Sequence, residues 1–239
     1  MTEQEWLACG DPEPMLEFLR GKEPDYGVVV FAVLDPEPML EFLRGKGSDR
    51  KLRLFAAACC RGVWHLIGSA QGRNAVEVAE RVADGGVSNK ERRNVQREAN
   101  HGLASFALFA DVSRAVEMVR IHVAISVARP HEFTFSEGAT HHEWAADFSI
   151  QNPAQSAFLR DIFGNPFRPV VFNPAWRTDT AVSLARQMYE AREFGAMPIL
   201  ADALQDAGCE YTDVLNHCRD SSATHVRGCW VVDLVLGKV

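Results

Sequence analysis

The chain has 239 residues, of which 47% are hydrophobic and 24% charged, as expected for a globular protein rather than a disordered chain. Its formal net charge of −7 would repel phosphate, which argues against a nucleic-acid partner. The N-terminal sequence MTEQEWLACG lacks the basic and apolar stretches of a signal peptide, and the apolar tracts are too short or too interrupted to span a bilayer. We therefore expect a cytoplasmic protein without membrane contact, whose six cysteines are reduced thiols.

The first predicted elements include a tandem internal duplication. The sequence DPEPMLEFLRGK occurs at 11–22 and again at 35–46, an offset of 24 residues. Each copy predicts a short helix, because an Asp N-cap and a Pro at the first helical position precede the apolar face and a Gly follows it. Only the second copy leads directly into a strong amphipathic stripe. We therefore interpret residues 11–34 as a duplicated insertion.

A helical N-terminal subdomain is predicted over residues 1–128. Thr2 and Glu5 form a capping box for a short first helix. From 49 to about 67 apolar residues recur at helical spacing, with Phe55 in the middle of the stripe. Further helices are predicted over 74–83 and, from a cap formed by Ser88 and Glu91, onward to about 128 with one break.

Residues 129–151 form an irregular linker or loop in this interpretation, with three of the eight histidines. His131, His141, His142 and Glu143 carry ligand types that zinc accepts in catalytic sites. The adjacent pair at 141 and 142 would point about 100° apart on a helix, unlike the paired histidines of helical metalloproteases. The sequence leaves two alternatives for this segment, a solvated loop and a zinc site.

A C-terminal helical subdomain is predicted over residues 152–239. It opens with a capped helix ending at Gly164, followed by a stretch that three prolines (Pro166, Pro169 and Pro174) keep non-helical. Helices are then predicted from Thr178 to about 194, from 198 to 208 and from 212 to 219. The apolar segment 229–236 fits a buried helix or a buried strand, and its helical neighbours favour a helix.

Several segments resemble an abundant family of planctomycete bacterial proteins with no assigned function. The segments are MTEQEWLAC, DPEPMLEFLRGKGSDRKLRLFAAACC, LRDIFGNPFRP, PILADALQDAGC and HVRGCWVVDLVLGK. The extra copy at 11–34 departs from the family pattern. The resemblance implies a lineage and assigns no catalytic residue.

Two other groups of residues carry chemistry. A second candidate zinc set is drawn from Cys209, His217, Cys218, His225 and Cys229. Cys209 is excluded because a helix over 212–219 would place it roughly 13 Å from Cys218, and the set that a loop could bring together is Cys218, His225 and Cys229. The alternative is that these cysteines are small buried apolar residues.

The second group surrounds the prolines. Arg168, Trp176 and Arg177 in a rigid loop would suit a peptide or carboxylate ligand. In the alternative interpretation, Asp161 and Asn165 form a turn at a helix end and Arg168 donates to the free carbonyls of that turn.

Together these features predict an all-α protein of two helical subdomains joined by a histidine-rich irregular segment. No Walker A, G-x-S-x-G or G-x-G-x-x-G motif occurs, and no catalytic or cofactor-binding residue is assigned. The favoured function is a non-enzymatic module that binds a protein partner and needs no cofactor. The alternative is a metal-dependent hydrolase that uses His131, His141 and His142.

Overall fold

A computed structural model describes residues 2–10, 14–15, 48–62, 64–67, 69–99 and 153–238. Over these residues the regular elements are all helical and no strand occurs, which confirms the all-α prediction for this part of the chain. Most of the duplication and the whole segment 129–151 lie outside the described residues. Each helix within the described ranges is too short or too polar to cross a membrane.

The chain divides into two compact units. One contains Ala8–Ser156, and the other contains Thr2–Leu7 together with Ala157–Val239. Helix α1, Glu3–Ala8, begins under the predicted capping box: the Thr2 N–H donates to Glu5 Oε2 at 2.7 Å, and the Glu5 N–H donates to Thr2 Oγ1 at 3.2 Å. The first helix of the chain thus belongs mainly to the C-terminal unit.

In the described part of the N-terminal unit, three helices pack in chain order: α2 over Asp49–Gly62, α3 over Ala70–Ala83 and α4 over Asn89–Glu98. Helix α2 contacts α3, and α3 contacts α4. The part of the predicted stripe that lies on α2 is buried, with Phe55 fully inaccessible. Helix α2 ends at Gly62 rather than near 67, and a 3-10 turn follows over Trp64–Leu66.

Serine caps determine where the next two helices begin. Ser69 Oγ accepts from the Gly72 N–H at 3.0 Å, so α3 begins four residues before the predicted start at 74. Ser88 Oγ accepts from the Glu91 N–H at 3.1 Å, which confirms the predicted cap of α4.

The C-terminal unit contains most of helix α5 (Pro153–Phe163) and the helices α6 (Asp179–Ala191), α7 (Met197–Asp206), α8 (Thr212–Arg219) and α9 (Trp230–Leu236). The prolines keep 164–173 irregular, and a 3-10 turn covers Pro174–Trp176. Segment 230–236 is a helix, so its predicted helical alternative is confirmed. Helix α6 ends before 194 because Arg192 adopts the left-handed conformation at φ 60°.

The core of this unit lies between α6, α7, α8 and α9. Helix α6 packs on α7 and α9, and α8 packs on α7 and α9. The large apolar side chains at its centre are essentially inaccessible, among them Met188, Leu200, Leu204, Val214 and Val232. This core fixes the ends of α8 and α9, between which the loop 220–229 runs.

Helix α1 attaches to the C-terminal unit through polar contacts. Trp6 is fully buried, and its carbonyl accepts from Arg160 Nη1 at 3.2 Å. Glu3 accepts from Asn165 Nδ2 at 2.7 Å and pairs with Arg168 Nε at 2.6 Å. These contacts hold α1 against the C-terminal end of α5.

Candidate metal centre

Four side chains of the C-terminal unit converge on one point. Asp161 Oδ1 lies 2.8 Å from His225 Nδ1 and 3.2 Å from His217 Nε2. Cys229 Sγ lies 3.3 Å from His217 Nε2 and 4.0 Å from His225 Nδ1. The four ligand-type atoms all lie within 4.8 Å of one another.

Three elements and one loop bring these side chains together. Asp161 is on the buried face of α5, His217 is on the last turn of α8, and Cys229 immediately precedes α9. His225 is in the loop 220–229. That loop is shaped at its start by Asp220, whose Oδ1 accepts from the N–H and the hydroxyl of Ser222 at 2.9 and 2.6 Å.

The cluster is largely closed to solvent. Asp161 is 2% exposed and Cys229 is 0% exposed, and the side chains of His217 and His225 are 18% and 7% exposed. The second carboxylate oxygen of Asp161, Oδ2, accepts from the Val226 N–H at 2.8 Å. Both oxygens of this buried carboxylate are therefore engaged.

Neighbouring groups decide the charge of the acidic members. Burial would raise the pKa of Asp161, but hydrogen bonds from His217 and His225 and their positive charge outweigh burial and lower it. Burial, and then the nearby Asp161 carboxylate, raise the pKa of the Cys229 thiol well above its ordinary value. At neutral pH the cluster alone thus holds a carboxylate and a neutral thiol.

The geometry does not fit a Cys-His-Asp catalytic triad. In a triad one ring nitrogen of the histidine faces the nucleophile and the other faces the carboxylate. Here His217 presents the same nitrogen, Nε2, to Asp161 and to Cys229, and His225 likewise presents only Nδ1 to both. A proton relay through either ring is therefore not formed. Four ligand-type atoms that face a common centre are an arrangement that could hold a metal ion.

Sequence analysis identified only part of this cluster. His225 and Cys229 belong to it, as the second predicted zinc set had them, but Cys218 is not among the four ligand-type residues. Cys218 lies on the core-facing side of α8, where burial and the nearby Asp161 raise the pKa of its thiol to about 12. Cys209 is also outside the cluster.

The predicted set left out His217, which the wider candidate group contained, and Asp161, although the sequence carries a signal for each. Asp161 follows Phe158 by three residues and precedes Ile162, both buried, so a carboxylate is predicted on the apolar face of α5. His217 precedes Cys218, and a helix over 212–219 that buries Cys218 in the core leaves His217 at the edge of that face.

The predicted residues near the prolines have structural partners. Asn165 forms the predicted turn, accepting from the Phe167 N–H at 3.0 Å, but Arg168 pairs with Glu3 and, at 3.8 Å, with Asp213 instead of the turn carbonyls. Arg177 donates to the Val235 and Leu234 carbonyls at the end of α9, at 3.1 and 2.9 Å.

Trp176 is 5% exposed and contacts the rings of Phe172 and Tyr211. The other predicted set, His131, His141, His142 and Glu143, lies outside the described residues.

Comparison with known proteins adds no assignment. No protein-family model, no curated protein and no solved structure matches this chain.

Proposed function

We propose that the protein is a non-enzymatic helical module that binds a protein partner through an apolar surface beside its prolines. We call this surface the proline patch and define it by Val171, Phe172, Trp176 and Tyr211. The observation that carries the proposal is the exposure of Val171, which is 77% accessible and is followed by the anchored ring of Phe172.

Ring contacts and flanking prolines hold the proline patch in place. The Phe172 and Trp176 rings meet edge to face at 5.2 Å, and Trp176 meets Tyr211 at 5.5 Å. Trp176 is buried, whereas Tyr211 is 43% exposed. Pro169 and Pro174 restrict the backbone on either side. A surface that is ordered before binding loses less conformational entropy when a partner binds.

The composition of the patch suits protein recognition. Tyrosine, tryptophan and arginine are enriched at the energetic centres of protein interfaces. Two arginines, Arg168 and Arg177, flank Val171 in the sequence, and both are exposed. We infer a partner surface with an apolar centre and an acidic rim.

The chemically reactive groups of this unit support binding over catalysis. The Cys229 thiol is fully buried, and its pKa is raised, so the nucleophilic thiolate is disfavoured. The exposed residues of the patch, Val171 and Tyr211, carry no thiol, imidazole or carboxylate group. The reactive thiol therefore faces the interior, and these two recognition residues face solvent.

A matched pair of variants tests this proposal. Val171→Asp places a charge in the centre of the patch, and Ile199→Asp places one on α7 at a side chain that is also exposed, at 58%. Immobilised full-length protein is incubated with a lysate of the source organism, and the retained proteins are quantified by mass spectrometry.

We expect at least one protein to be retained by the wild type and by Ile199→Asp and lost with Val171→Asp. An identical retained set for all three proteins would show that the patch is not a binding surface.

A further inference from the structure

We propose that Asp161, His217, His225 and Cys229 bind one structural Zn²⁺ ion. This inference goes beyond the binding function proposed above, since it concerns the interior of the C-terminal unit. It rests on the convergence of one carboxylate oxygen, two imidazole nitrogens and one sulfur on a common centre.

The separations of these atoms approach those of a tetrahedral zinc site. With bonds of about 2.0–2.1 Å to N or O and about 2.3 Å to S, the edges of a zinc tetrahedron measure about 3.4 Å between N and O and about 3.6 Å between N and S. The corresponding distances here are 2.8 and 3.2 Å for the N–O pairs and 3.3 and 4.0 Å for the N–S pairs. These four edges differ from the tetrahedral values by at most about 0.6 Å, and all four atoms lie within 4.8 Å of one another.

The surroundings of Asp161 indicate a closed coordination shell. The Val226 N–H donates a hydrogen bond to Oδ2, which fixes the orientation of the carboxylate and leaves Oδ1 as the ligand atom. Four protein ligands then fill the tetrahedron with no open position. This closure is typical of structural zinc sites, whereas catalytic sites keep one position for water or substrate.

The ring of His225 is buried and faces the cluster with Nδ1. Its side chain is more than nine-tenths buried at 7% exposed, and its Nε2 has no hydrogen-bond partner among the described residues. Burying an imidazole is costly unless a strong interaction compensates. A bond from Nδ1 to a metal ion would compensate the burial of the ring, and the ring proton would then lie on Nε2, which has no hydrogen-bond partner among the described residues.

Charge balance favours a divalent ion. With Asp161 ionised, Cys229 as a thiolate and both histidines neutral, the ligands carry two negative charges. A Zn²⁺ ion makes the buried assembly neutral, and buried charge is tolerated only when it is compensated in this way. Binding releases the Cys229 thiol proton to solvent as the Zn–S bond forms, so affinity falls as the pH is lowered.

The chemical types of the four ligand atoms determine which ion fits the site. Imidazole and thiolate suit zinc, whereas magnesium and calcium take oxygen ligands almost exclusively. Zinc also imposes no geometry of its own, because its d shell is full. An ion held here joins α5 to the loop 220–229 and to the start of α9, so it crosslinks segments distant in sequence.

The first measurement is the metal content of untagged full-length protein by mass spectrometry. We expect about one zinc per chain in the wild type. Cys229→Ser and Asp161→Asn preserve side-chain size and should each lower zinc affinity by at least about tenfold, because even residues behind the ligands contribute that much. Cys218→Ala is the matched control, a buried cysteine outside the four ligands, and should retain the ion.

Two further measurements test the site with a readout other than zinc content, in case a variant folds poorly. The wild type, freed of metal with a chelator, should regain thermal stability when zinc is added and not when magnesium is added. Cobalt substituted for zinc should show a thiolate-to-metal absorption band, which Cys229→Ser removes and Cys218→Ala keeps.

Three results would overturn the inference. The first is wild-type protein without stoichiometric zinc and without a zinc-dependent change in melting temperature. The second is a cobalt band that depends on Cys218 rather than on Cys229. The third is a zinc ion that is lost when His131, His141 and His142 are all changed to alanine but survives Cys229→Ser, which would place the site in the histidine segment. None of these results depends on whether the proline patch binds a partner.

Discussion

Gly164 and Trp230 meet where the end of α5 lies against the start of α9. Gly164 has φ +69°, and a Cβ added to it would stand 3.1 Å from Trp230 Cγ. The Trp230 ring in turn lies 5.2 Å from the ring of His217. The glycine therefore serves two purposes: it allows the left-handed turn that ends α5, and it leaves room for the tryptophan beside the candidate metal centre.

Replacing this glycine should be more destabilising than replacing one of similar conformation in open space. Gly164→Ala combines the left-handed backbone cost of about 1–2 kcal/mol with an overpacking cost of about 1–3 kcal/mol against the Trp230 ring. Gly208→Ala has the first cost alone, because Gly208 has φ +86° and nothing within 4 Å of the added Cβ. Urea unfolding of both variants measures the difference. If both variants lose the same free energy of unfolding, the Trp230 ring moves aside without an overpacking cost, which would contradict the prediction.

The core of the N-terminal unit should depend strongly on Phe55. This side chain is fully buried in the middle of α2, so Phe55→Ala should lower the free energy of unfolding by about 3–5 kcal/mol through lost transfer energy and an unfilled cavity. Glu77→Ala, at an exposed position of α3, is the control and should change it by less than about 0.5 kcal/mol. Thermal or denaturant melts that do not separate the two variants would contradict the assigned core.

Alkaline pH should weaken the fold through Cys60. Burial raises the pKa of this thiol from 9.0 to about 12. Below pH 9 both states keep the proton, so the contribution to stability is intact. Above it the unfolded chain ionises first, and stability falls by about 1.4 kcal/mol per pH unit until the folded pKa is reached.

Urea unfolding between pH 8 and pH 10 measures this slope. In Cys60→Ala the free energy of unfolding should fall less steeply with pH, by up to about 1.4 kcal/mol per pH unit, because one titrating proton has been removed. The same slope in the wild type and the variant would mean that Cys60 is not the titrating group.

The duplicated copy should be dispensable. Deleting 11–34 joins Gly10 to Asp35, and because the two copies are identical, Met39 then follows Gly10 at the spacing that the buried Met15 has now. We expect soluble protein whose free energy of unfolding changes by no more than about 1–2 kcal/mol, the range of an ordinary single substitution. Circular dichroism melts check this, and an insoluble product would contradict it.

Local signals in the sequence predicted the helices well. Capping residues such as Ser88 and Thr178 and the breaks at Gly164 and the prolines act over one turn of chain, so they can be recognised without knowledge of the fold. The errors were local too. The predicted start of α3 is four residues late, because it omits the Ser69 cap. The predicted end of α6 lies beyond Arg192, because an arginine gives no sequence signal for the left-handed conformation that ends the helix there.

The candidate metal centre was predicted only in part, for a physical reason. Asp161 lies 56 residues before His217, and their contact depends on how α5 packs beside α8 and the loop. Spacing rules detect ligands that are close in sequence, such as His225 and Cys229. A distant ligand appears in the sequence only as a carboxylate on an apolar helix face.

The placement of α1 has a consequence for synthesis of the chain. Trp6 is translated before residues 157–239, which make up the rest of the unit that buries it. Its indole must therefore stay outside its final environment while roughly 150 further residues are translated, at about 5–20 residues per second. Docking of α1 is thus a late event that waits for synthesis of the residues against which it packs.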